Sequence, residues 1–124
     1  MSKKILIVDD ENMILDPLSE KFKDEGFEVE TASDGEEGLK KALEIIPDLI
    51  LLDVVMPKMN GLEMLKKLRS EEKGKNIEVI VFTNVNEAEK IEEAVEDGAS
   101  EYLVKVEWSL EDLIKKVKNK LGMG

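Results

Sequence analysis

Five side chains able to do chemistry stand directly behind short apolar runs. Asp9 and Asp10 follow Ile5–Val8, Asp53 follows Leu49–Leu52, Thr83 follows Ile77–Phe82, and Lys105 follows Tyr102–Val104. If those runs are strands of one parallel sheet, all five side chains project from the same rim, where open parallel sheets bind their ligands. Three carboxylates gathered there repel one another unless a cation sits among them. An oxygen-only set suits Mg²⁺, which keeps several waters and favours one or two carboxylates plus phosphate oxygens. A carboxylate can also be the nucleophile that accepts a phosphoryl group, giving an acyl phosphate. Catalysis of that transfer is mostly positioning and charge neutralisation, and an ammonium and a hydroxyl around the equatorial oxygens supply both. Asp53 is the candidate nucleophile, because its run is the most apolar and reads as central. Asp10, with Asp9 behind it or acting through water, is the candidate metal ligand, and the main-chain carbonyl of Val55 is expected to complete the protein ligands. Each residue alone has a plain reading as a capping acid, a strand-end turn residue or a solvated lysine. The coincidence of all five at strand ends carries the signal.

The elements that must position them are legible as two periodicities. Ile5–Val8, Leu49–Leu52, Ile77–Phe82 and Tyr102–Val104 read as buried strands, and the alternating Phe27–Ala32 as a half-exposed edge strand. Between them, helical spacing recurs at Leu15/Leu18/Phe22, Leu39/Ala42/Leu43/Ile46, Leu62/Leu65/Leu68, Ala88/Ile91/Val95 and Leu110/Leu113/Ile114/Val117/Leu121. Gly26 and Gly98 fall where C-terminal caps belong, and Ser109 with Glu111 and Asp112 forms a helix start. Met56, Met59 and Met64 read as core filler. Pro17 conflicts with the first helical pattern; either the helix bends there, or Asp16-Pro17 starts it late. Five β-α units predict a parallel sheet with helices on both faces, a doubly wound α/β fold.

The chain has 124 residues, with 18 Lys and Arg against 29 Asp and Glu, a formal charge of −11. That length predicts one domain, residues 1–124, with no output domain behind the last helix. It contains no cysteine and no histidine, which removes disulfides, thiolate or imidazole metal sites, and every mechanism with a histidine base. The acidity argues against direct nucleic-acid binding, which needs clustered Lys and Arg. No apolar run is long enough for a membrane span or a signal-peptide core, so a cytoplasmic location is expected.

The segments Ile-Leu-Ile-Val-Asp9-Asp10-Glu11, Leu-Leu-Asp53-Val-Val-Met-Pro57-Lys-Met-Asn-Gly61, Val-Phe-Thr83 and Tyr102-Leu-Val-Lys105 together resemble the receiver domain of bacterial two-component response regulators. The resemblance covers essentially the whole chain. It implies a flavodoxin-like (βα)5 fold with strand order 2-1-3-4-5. It also implies Asp53 as phosphoacceptor, Asp9 and Asp10 as Mg²⁺ acids, Thr83 as switch hydroxyl, Lys105 as phosphate-binding lysine and Tyr102 as the switch aromatic whose ring turns inward on activation. The implied partners are a sensor histidine kinase or phosphotransfer protein and an unnamed downstream protein. Three positions depart from the family pattern. Val106 stands where proline usually follows the lysine, so a different loop is expected. Asn84 stands where a small residue usually follows the threonine, and is expected to crowd the phosphoryl pocket or alter its water. Trp108 is also atypical.

Other functions fit less well. An aspartyl phosphatase needs a second acid two residues past its nucleophile, where Val55 stands. A flavin carrier needs a hydroxyl- and glycine-rich first loop, where Asp-Asp-Glu-Asn would repel phosphate. A receiver-like interaction module that is not phosphorylated is the remaining alternative. Val55 and Val85 are expected to border the approach of a hydrolytic water and to slow loss of the phosphoryl group.

Overall fold

Strands arise here where apolar, mostly β-branched runs can bury both faces between helices. The computed structural model describes residues 2–123. Its strands are β1 (Lys4–Val8), β2 (Glu28–Ala32), β3 (Leu49–Leu52), β4 (Glu78–Thr83) and β5 (Glu101–Val104), and its helices are α1 (Asn12–Asp24), α2 (Gly35–Ile45), α3 (Gly61–Ser70), α4 (Ala88–Glu96) and α5 (Leu110–Lys120). The strands form one parallel sheet of order β2-β1-β3-β4-β5. Ile5 lies beside Leu49, Leu49 beside Glu78, and Ile80 beside Glu101, so strand ends are nearly level across the centre.

Alternation along the apolar strands divides the core in two. Ile5, Ile7, Leu49, Leu51, Ile80 and Phe82 pack with Leu15, Leu18 and Phe22 of α1 and Leu113, Ile114 and Val117 of α5. Leu6, Val8, Ile50, Leu52 and Val79 pack on the other face with Ala42 of α2 and Met64, Leu65 and Leu68 of α3. Met56 and Met59 join that second cluster, as expected of core filler. Edge strand β2 alternates exposed and half-buried residues before Ala32, and Phe27 precedes it, meeting Phe22 edge-on at 5.3 Å.

Several helix ends follow local chemistry. Ser109 accepts from the Asp112 N–H at the start of α5, and Asn60 and Asp34 do the same for α3 and α2. Gly26 and Gly98 take φ of 95° and 88°, the left-handed conformation that closes a helix. Three features differ from the sequence pattern. Helix α1 runs through Pro17 rather than starting at it. The ring is exposed, and Met13, whose carbonyl loses its partner, is 90% exposed, so water can take the free acceptor. Ile46 leaves the α2 stripe and becomes its left-handed cap at φ 45°, because Pro47 disfavours helical geometry in the residue before it. In α4 the buried residue is Ala94, whereas Ala88 and Val95 are exposed and Ile91 only half-buried. That apolar stripe is therefore mostly uncovered.

Candidate functional site

The sheet delivers its chemistry at one rim because each strand stops where a polar residue begins. The Asp9 N–H still donates to the Ala32 carbonyl at 3.0 Å, and the Asp53 N–H to the Val8 carbonyl at 2.9 Å. Both carboxylates thus leave from fixed backbone. Asp9, Asp53, Thr83 and Lys105 are all buried, and Asp10 is exposed at the mouth. Gly61 is required behind Asp53: a Cβ there would lie 2.0 Å from the Asp53 carbonyl oxygen. Its N–H donates to the Val54 carbonyl at 2.8 Å, which secures the loop after Asp53.

Lys105 crosses into this acid cluster. Its Nζ donates to Asp9 Oδ2 at 2.7 Å and to Asp53 Oδ2 at 3.4 Å, with Glu11 Oε1 at 4.0 Å. The ammonium also lies 6.0 Å from the Phe82 ring centre, a contact the sequence did not announce. The other oxygen of Asp9 accepts from the Glu11 N–H at 2.9 Å, and Asp53 Oδ1 accepts from the Val54 N–H at 2.7 Å. Burial pushes the Asp9 carboxyl above its ordinary value, although the bond from Lys105 pulls the other way. Burial by itself would lower Lys105, but its bonds and ion pairs with Asp9 and Asp53 hold it above the ordinary lysine value. Asp9, Asp10 and Asp53 bring one carboxylate oxygen each within 4.8 Å of one another. This is an oxygen-only set with the spacing a small hard cation accepts.

Thr83 and Tyr102 are linked on the far side. The Val85 N–H lies 3.4 Å from Thr83 Oγ1, and the Val85 carbonyl accepts from the Tyr102 hydroxyl at 2.5 Å. Tyr102 is half-buried and packs against the cluster of Val54, Leu62, Val81 and Ala94. Burial, followed by the charges of Asp53 and Glu87, raises its hydroxyl above the usual tyrosine value. A cleft of about 390 Å³ opens over the cluster, bordered by Asp10, Asp53, Thr83, Lys105 and by Val55 and Val85. The Val55 residue, whose carbonyl was the expected metal ligand, stands at this cleft 63% exposed. The five strand-end side chains, Asp9, Asp10, Asp53, Thr83 and Lys105, are thus brought to one rim. Three contributors escaped notice there: Phe82 beneath Lys105, the Val85 link to Tyr102, and a hydrogen bond from the Val106 N–H to Asn84.

Residues 5–118 match the family described as response regulator receiver domain. The chain is 43% identical over 105 residues to the alkaline phosphatase synthesis transcriptional regulatory protein PhoP of Bacillus subtilis, covering 85% of this chain and 43% of that protein. The chain spans about half the length, or less, of the curated relatives it matches. Among solved structures, a CheY-like response regulator receiver domain protein from Methanospirillum hungatei superposes with a TM-score of 0.92 at 34% identity, covering 98% of this chain and 95% of that one. A CheX–CheY–BeF3–Mg²⁺ complex from Borrelia burgdorferi gives a TM-score of 0.86 at 29% identity, covering 95% and 88%.

Proposed function

The chain belongs to the response regulator receiver family, and from that premise we propose that it accepts a phosphoryl group on Asp53 and thereby switches a protein-docking surface. The observation that carries this reading is the grouping of Asp53 with an ammonium 3.4 Å away and two further carboxylates. The donor is a phosphohistidine of a sensor histidine kinase or phosphotransfer protein, since this chain has no histidine of its own. An Asp53 oxygen attacks phosphorus, the P–N bond breaks, and its electron pair returns to the imidazole, which takes a proton. Lys105 leaves Asp9 to meet one equatorial oxygen, and the Thr83 hydroxyl meets another.

Asp9, Asp10 and Asp53 would hold Mg²⁺, with the Val55 carbonyl as a further ligand. Bound there, the ion supplies positive charge against the three carboxylates and the phosphoryl oxygens. The Borrelia complex, which contains Mg²⁺ and BeF3 by name, supports this assignment.

The output route runs through Val85. A Thr83 hydroxyl drawn to the new dianion leaves the Val85 N–H, and the Val85 carbonyl carries the Tyr102 hydroxyl. Tyr102 borders α4, whose exposed Val95 and half-buried Ile91 offer an apolar face to a downstream protein in the cytoplasm. Among the described residues no helix is long and apolar enough to cross a membrane. The test is intact mass after incubation with acetyl phosphate. One phosphoryl group should add only when Mg²⁺ is present, and Asp53→Asn should add none. Equal labelling of Asp53→Asn would overturn the assignment.

A further inference from the structure

Asn84 and Val106, two residues without a role in the scheme above, bond to each other. The Val106 N–H donates to Asn84 Oδ1 at 3.1 Å. Strands β4 and β5 pair as far as Thr83 and Val104, so this bond lies just past the last paired residues, where the ladder itself has stopped. It runs from the residue after Thr83 to the residue after Lys105. A proline at 106 would offer no N–H, so the bond depends on both residue types together. Lys105 opens a short 3-10 turn, Lys105–Glu107, whose start has no side-chain cap. The turn's own closing bond, from the Trp108 N–H to the Lys105 carbonyl, is 3.2 Å long. Asn84 therefore gives an otherwise weakly closed turn an external tie.

We propose that Asn84 is a positioning residue: through the Val106 N–H it fixes the turn that aims Lys105 to the strand end that aims Thr83. The spacing of the two groups that meet the phosphoryl oxygens is then set by backbone on both sides. During transfer Lys105 must exchange Asp9 for a phosphoryl oxygen, and a tied turn confines that change to side-chain torsions. The inference rests on the phosphoryl-accepting reading. Asn84 itself stays exposed beside the cleft, and its oxygen is committed to Val106 rather than to the cluster.

The test combines amide exchange at Val106, followed by NMR, with initial rates of uptake from acetyl phosphate at saturating Mg²⁺. Asn84→Leu keeps the shape without the acceptor, and Asn84→Asp keeps an acceptor oxygen at the same reach. Val106 exchange should quicken roughly tenfold in Asn84→Leu and stay within about twofold in Asn84→Asp. The maximal uptake rate of Asn84→Leu should fall several-fold while the half-saturating donor concentration stays put, the pattern of lost positioning rather than lost binding. In a Val106→Pro background, Asn84→Leu should change nothing further; if that background does not fold, the first two variants decide. Unchanged Val106 protection, additive losses in the double variant, or faster uptake by Asn84→Leu would each overturn the proposal, the last by making Asn84 an obstacle to the donor. A parent protein that takes up no phosphoryl group would overturn the functional reading and this inference with it. A competent parent with an indifferent Asn84→Leu overturns the inference alone.

Discussion

The two ends of the sheet handle charge in opposite ways. At the carboxyl end, Asp9, Asp10 and Asp53 crowd together and Lys105 is the ammonium among them. At the amino end, acids and bases are matched across elements. Lys118 meets Glu25 at 2.6 Å, Lys120 meets Glu101 at 2.8 Å, and Arg69 caps the Gly74 and Gly98 carbonyls at 2.7 Å each. The carboxyl groups follow suit: burial raises Asp9, whereas bonds from Lys118 and Lys120 hold Glu25 and Glu101 below the usual glutamate range. The amino end commits its charges to ion pairs and carbonyl contacts between elements. The carboxyl end keeps three carboxylates that Lys105 offsets only in part, a repulsion that a cation can relieve.

The largest expected effect tests the supporting end. Arg69→Ala removes two charge-assisted bonds to carbonyls and should cost about 2–3 kcal/mol in urea unfolding. Phosphoryl uptake by the protein that remains folded should not change. Slower uptake would show that the two ends are not separable.

The next effect belongs to the reactive end. Val55 and Val85 border the cleft with no group able to orient a water, so the acyl phosphate should persist well beyond seconds. A Val55→Asn, Val85→Glu double variant should lose it roughly tenfold faster, followed by intact mass after the donor is removed. Equal decay would deny the valines any guarding role.

A smaller effect sharpens the contrast in sign. Asp9 has its folded value above 3.8, so the folded protein holds that proton more tightly than the unfolded chain does. Its favourable contribution is present at the acid end and lost as pH rises through the folded value; at neutral pH the ionised group opposes folding. Asp9→Asn should therefore stabilise the Mg²⁺-free protein modestly at neutral pH, Lys105 keeping Asp53 as its partner, with the gain fading towards pH 3.8. A neutral-pH loss of stability would place Asp9 among the supporting pairs.

The smallest effect is the reverse case. Glu101 is held below 4.5, so its contribution is present above that value and lost as pH falls through the folded one. Because the pair is partly exposed, Glu101→Gln should cost only about 0.5 kcal/mol at neutral pH, and less in high salt. A loss that survives high salt would mean that packing, not charge, holds that corner.

Much of this contrast was readable in the chain because strands end in chemistry. Ile5–Val8 and Leu49–Leu52 are apolar up to the residue before an aspartate, so these runs located both the sheet and the rim at which Asp9 and Asp53 gather. Other features depend on what a segment meets in space. The Ala88/Ile91/Val95 spacing announced a helix but not its covered face, which proved to be that of Ala94. Pro17 was ambiguous because the outcome turned on solvent reaching the Met13 carbonyl. Ile46 fits an apolar stripe, yet the following proline decides its backbone. The Asn84–Val106 bond joins residues 22 apart in sequence, and only the parallel register of β4 and β5 brings them together. Tyr102 was noted as a switch aromatic, but its bond to the Val85 carbonyl required the fold.

The central claim is that the crowded rim delivers a phosphoryl group to one carboxylate and not to its neighbours. Borohydride reduces an aspartyl acyl phosphate to homoserine, so the acceptor can be read directly by peptide sequencing in a mass spectrometer after Mg²⁺, acetyl phosphate and reduction. Homoserine at position 53 alone is the predicted result. Homoserine at position 9 or 10, or at no position in protein that has gained the phosphoryl mass, would contradict the account.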